Sequence, residues 1–130
     1  YIEDEKNGLS EKSKAAAIAA QTSKVIRERY HQDEIFYQKF SDRILALLEE
    51  LKTAKKEDIS SLFREIKEIQ QKVENYEDND IPAQIRGDKL MHPFYRNLLP
   101  ILSSLNVDTS VFCEIIQHLV SITFQVVGLL

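Results

Sequence analysis

With three glycines and three prolines among 130 residues, the chain has little from which to build the many tight turns of an all-β fold, and the expectation moves to long helices. The apolar residues bear this out at the spacing of a helix. Behind Asp33, a natural N-cap, Phe36, Phe40, Ile44, Leu47, Leu48 and Leu51 recur every three or four residues, the clearest amphipathic stripe in the chain. That pattern predicts a helix from Asp33 to about Lys55.

Four further helices are expected around it. Ser10 is a plausible cap for a first helix reaching about Tyr30, with Ala15, Ile18, Thr22 and Val25 on its buried face and Ala19 and Ile26 beside them. A third covers about Ser60 to Tyr76 through Leu62, Phe63, Ile66, Ile69 and Val73. The run Asn75 to Pro82 is rich in Asn and Asp, and Ile81 before Pro82 is pushed out of the helical region, so the chain breaks there. Asp88, or Pro93 as a first helical residue, opens a fourth helix carrying Phe94, Tyr95, Leu98, Leu99 and Leu102. Asp108 or Thr109 caps a fifth with Val111, Phe112, Ile115, Ile116 and Leu119. Residues 121–127 alternate, so a short C-terminal strand and a continued helix both fit. The expected fold is all-α, an irregular bundle of about five helices forming one domain over residues 1–130, with residues 1–9 as a frayed lead-in.

A hydrophobic share of 43% and a charged share of 29% describe a globular chain, and a net charge of -4 excludes an overall basic nucleic-acid binder. One cysteine forms no internal disulfide, which suits a reducing cytoplasm. The longest nearly apolar run, Leu119 to Leu130, falls short of the roughly 20 residues that span a bilayer. The absent initiator Met and the apolar end at Leu129-Leu130 read as a fragment of a larger protein.

Little in the chain carries chemistry of its own. Glu65-Ile66-Lys67 matches the end of a restriction-nuclease motif, but residues two apart on a helix point about 200° apart, so a solvated helix face is expected instead. His31, His92 and His118 have no second ligand at helical spacing, Cys113 has no base paired with it, and there is no G-x-x-x-x-G-K-[ST] loop. No catalytic residue, metal ligand or cofactor site is expected within these residues. Arg86, Lys89 and Arg96, near His92 and Tyr95, form the one candidate DNA contact, although Glu77, Asp78 and Asp80 precede it.

Several segments, in order, resemble a known family. They are the small-residue helix Ala16 to Arg29, the acidic cap and aromatics of Asp33-Glu34-Ile35-Phe36-Tyr37-Gln38-Lys39-Phe40-Ser41, the helix opened by Ile59-Ser60, and Ile81-Pro82 to Gly87 leading into Phe94-Tyr95. Together they look like the helical C-terminal region of the R (motor and nuclease) subunit of type I restriction enzymes. The chain departs from that pattern over residues 119–130, where the family would continue with a polar segment. The resemblance implies a large parent with a nuclease domain and two helicase-like ATPase domains, using ATP and Mg to translocate and cleave double-stranded DNA. It implies for this region a non-catalytic docking role toward the methyltransferase core of modification and specificity subunits. Aromatics beside the core stripes, Tyr30, Tyr37, Tyr76 and Tyr95, are the candidate partner anchors, with packing at helix edges as the competing role. A DNA-contacting helical module and a generic helical scaffold are the alternative functions.

Overall fold

The computed structural model describes residues 2–129, with side chains described for 11–123 and 125. It contains five α-helices: α1 (Ile2–Arg29), α2 (Glu34–Lys52), α3 (Lys56–Asn75), α4 (His92–Ser104) and α5 (Thr109–Leu129). Short 3-10 turns at Tyr30–Gln32 and Lys89–Met91 precede α2 and α4. The fold is all-α, as expected. Residues 121–127 belong to α5, so the strand alternative is overturned: their alternation is only part of a longer helical run. Helical backbone begins at Ile2, so Ser10 sits inside α1 rather than capping it.

The chain divides into two compact units, one of residues 1–31 and 37–77, the other of residues 32–36 and 78–130. In the first, α1 and α3 run in the same direction. Glu11 accepts from the Ser60 hydroxyl at 3.0 Å near one end, and the Arg29 guanidinium reaches the Glu74 carbonyl at 3.3 Å near the other. α2 runs opposite to both: Lys12 donates to the Lys52 carbonyl at 3.2 Å, and Tyr30 donates to Gln38 at 2.8 Å.

Side-chain size explains how these helices pack. The buried stripe of α1 is Ala15, Ala19, Thr22 and Ile26, and its smallness lets the α1 and α3 backbones approach closely. Ile18 and Val25 are only half-buried, so the buried face is rotated slightly from the one expected. α3 answers with Ile59, Leu62, Ile66, Ile69 and Val73, a strict three–four alternation. Tyr37, Phe40, Ile44, Leu47 and Leu51 of α2 are large and fill a wider gap. Thr22 is polar but harmless there, because its hydroxyl donates to the Ile18 carbonyl at 2.8 Å.

α3 ends in a Schellman motif. Tyr76 is left-handed (φ 51°), its N–H donates to the Val73 carbonyl and the Glu77 N–H donates to Lys72. α4 ends the same way at Asn106 (φ 56°), with the Val107 N–H on the Leu102 carbonyl. In the second unit, Ile81, Ile85, Tyr95, Phe112, Cys113, Ile116 and Val120 form the core, with Met91, Leu98, Leu102 and Val107 packed around it. Asp108 caps α5 by accepting from the Ser110 N–H at 3.1 Å. Asp88 caps the 3-10 turn before α4, accepting from the Leu90 N–H at 3.0 Å.

Candidate functional site

The most organised polar cluster of the second unit is built around Arg96. Its side chain is 2% exposed and that of Asp33 is fully buried. Arg96 Nη1 donates to Asp33 Oδ2 at 3.0 Å, while Nε and Nη2 grip both oxygens of Asp80 at 2.9 and 3.0 Å in a two-pronged contact. Asp33 Oδ1 accepts from Asn97 Nδ2 at 3.0 Å and from the Phe36 N–H at 3.2 Å. The guanidinium also lies over the Phe36 ring, 4.5 Å from its centroid. Asp33 is thus the expected cap of α2 and, at once, the buried counter-ion of α4.

Two carboxylates and one guanidinium leave this cluster with its cation neutralised. Asp80 is the open edge, with its side chain 38% exposed. Every polar atom named is engaged, and the cluster contains neither a nucleophile nor a base aimed at open space. Chemically it is a tie between three sequence-distant pieces: the start of α2, the loop before α4, and α4 itself.

The loop has its own order. Arg86 folds back to donate from Nε and Nη2 to the Ile81 carbonyl at 3.3 and 3.0 Å, and the Arg86 carbonyl lies 3.1 Å from His92 Nε2. Successive turn hydrogen bonds, Ile85 N–H to Pro82 and Asp88 N–H to Ile85, point Ile81 and Ile85 into the core.

These placements correct the DNA-contact expectation. Arg96 is buried between two carboxylates and is not presented to a phosphate. Arg86 is exposed but tied to its own loop, and Lys89 is exposed on the following turn. The three do not make one cationic surface. The signal missed in the sequence was the acidic Asp78 to Asp80 run itself, which supplies Arg96 with a partner rather than merely diluting its charge.

The aromatic anchors divide similarly. Tyr37 is 1% exposed and stacks on Tyr76 with ring centroids 6.2 Å apart. Tyr95 is buried against Phe112 at 5.0 Å, and burial pushes its phenol pKa up. Neither is offered to a partner. Tyr30 and Tyr76 are half-buried, Tyr30 edge-on to His31 at 5.9 Å. Glu65 and Lys67 of the nuclease-like tripeptide diverge on α3: Glu65 pairs with Arg43, and Lys67 lies over the Phe63 ring. Burial pushes the Cys113 thiol pKa up, so it stays protonated and unreactive at neutral pH.

What the tyrosines do not provide, other residues do. Leu90, Phe94, Leu99, Ile101 and Leu105 are exposed on or beside α4. From residue 90 onward the formally charged residues are Arg96, Asp108 and Glu114, in a chain with 17 basic and 21 acidic residues. Among the described residues, no group of three or more His, Cys, Asp or Glu is arranged to hold a metal, and no helix is long and apolar enough to cross a membrane. No protein-family model, curated protein or solved structure matches this chain.

Proposed function

We propose that this chain is a helical assembly region of a type I restriction R subunit, docking the motor onto the methyltransferase core of modification and specificity subunits. The observation that carries the docking role is the open apolar face of α4 formed by Phe94 and Ile101, about two turns apart on one side of the helix, in a segment almost without charge. Such a face suits a protein surface and is poorly suited to a phosphate backbone, which is held by Lys and Arg. The restriction system itself rests on the resemblance of Asp33 to Ser41 and of Ile81 to Gly87 to that family. On this reading the chain works in the cytoplasm, and ATP, Mg and double-stranded DNA belong to the parent's other domains.

The test is co-purification of the chain with co-expressed modification and specificity subunits at two salt concentrations, with and without DNA. Retention that tolerates salt, needs no DNA, and falls at least about tenfold with Ile101→Glu supports docking through α4. Absence of retention, with salt-sensitive capture of DNA alone, would replace it with DNA contact through Arg86 and Lys89.

A further inference from the structure

α5 carries two apolar stripes side by side. Phe112, Cys113, Ile116 and Val120 are spent on the core of the second unit. Val111, Ile115, Leu119 and Ile122 are open, each between 37 and 47% exposed. At about 100° per residue the open stripe occupies roughly 80° of the helix circumference, directly beside the buried one. Its length from Val111 to Ile122 is about three turns.

One edge of this open stripe carries Glu114 and His118, which with Val111, Ile115 and Leu119 line a shallow cleft of about 370 Å3. They are the only ionisable side chains besides Cys113 between residues 109 and 123. Although four residues apart on one face, they make no hydrogen bond or ion pair, with each other or with any described residue. Among the described residues, one acid and one base therefore sit unpaired, nearly symmetric about the middle of the stripe.

We propose that this stripe pairs with the same stripe of a second copy of the chain, antiparallel about a two-fold axis near residues 116–117. A two-fold axis brings like edges together with their directions reversed. Val111 then faces Ile122, Ile115 lies beside Leu119, and Glu114 of each copy meets His118 of the other. Both ionisable groups gain partners and both apolar rows close. The pattern is complementary to itself, which argues for a second copy over an unrelated partner. It is independent of docking through α4, since it uses a different helix.

Sedimentation equilibrium of the 130-residue chain tests it, with circular dichroism as the check on folding. A monomer–dimer equilibrium is expected, weakened at least about tenfold by Ile115→Glu, an exposed position whose change spares the core. Glu114→His and His118→Glu each weaken it, by facing His with His or Glu with Glu. Mixed in equal amounts, these two variants form a heterodimer in preference to either homodimer, because both cross-pairs are restored. A monomer throughout, a dimer indifferent to Ile115→Glu, or purely statistical mixing of the two variants would each overturn the proposal.

Discussion

Arg96 shows how much one side chain can decide. Removing it strands Asp33 as a buried carboxylate without its cation, and Arg96→Ala is expected to cost about 3–5 kcal/mol in urea unfolding. The two roles of Asp33 separate by substitution. Asn is as good a cap as Asp, so Asp33→Asn keeps the cap while losing the contact to Arg96, and Asp33→Ala, which loses both, is expected to cost about 1 kcal/mol more. Cys113 and Tyr95 give a pH dependence of definite sign. Burial raises both folded pKa values, so the folded state holds protons that the unfolded chain releases. Their stabilisation is complete below the free-thiol value of about 8.5 and is lost as pH rises, first through Cys113 and then through Tyr95. Urea midpoints should therefore fall on the alkaline side, with Cys113→Ala flattening the earlier part of the decline.

At the scale of elements, the left-handed end of α3 makes a paired prediction. Tyr76 holds φ 51° where Gly would be easier, and it stacks on Tyr37. Tyr76→Ala loses the stack and keeps the strain, whereas Tyr76→Gly loses the stack and relieves it. The Gly variant is expected to be more stable than the Ala variant by about 1 kcal/mol, measured by thermal unfolding. Gly87 is the opposite case: its backbone is not left-handed and an added Cβ meets nothing within 4 Å. Gly87→Ala should accordingly be neutral or stabilise by up to about 1 kcal/mol. The helices were legible because periodicity is a local signal: Phe36 to Leu51 and Leu62 to Val73 announce their faces within a few turns. Boundaries were less so. α3 begins at Lys56 after an extended Lys55 that makes no side-chain cap, leaving Ser60 inside the helix and bonded to Glu11. The Arg96 cluster was not legible, because no short-range pattern connects Asp33 to a residue 63 positions later. Asp33 could be read as a cap and Asp80 as a turn residue, and both readings were complete without Arg96.

For the molecule as a whole, the division into two units predicts where damage stays. Arg96→Ala is expected to lower hydrogen-exchange protection at residues 33–36, 78–88 and 92–122 while sparing the α1–α3 pairing of Ala15, Ala19, Ile66 and Ile69. Uniform loss across both units would show instead that they unfold as one. The second unit is assembled from pieces on either side of residues 37–77, and its tie spans 63 residues. That has a consequence for synthesis on the ribosome. At about 5–20 residues per second, Arg96 is made roughly 3–13 s after Asp33. Through that interval the start of α2 can be capped but not closed, with a hydrated carboxylate at a place that will later exclude water. The guanidinium that arrives last converts a local helix signal into a clasp, so α4 sets the moment at which the nascent chain commits to its second core.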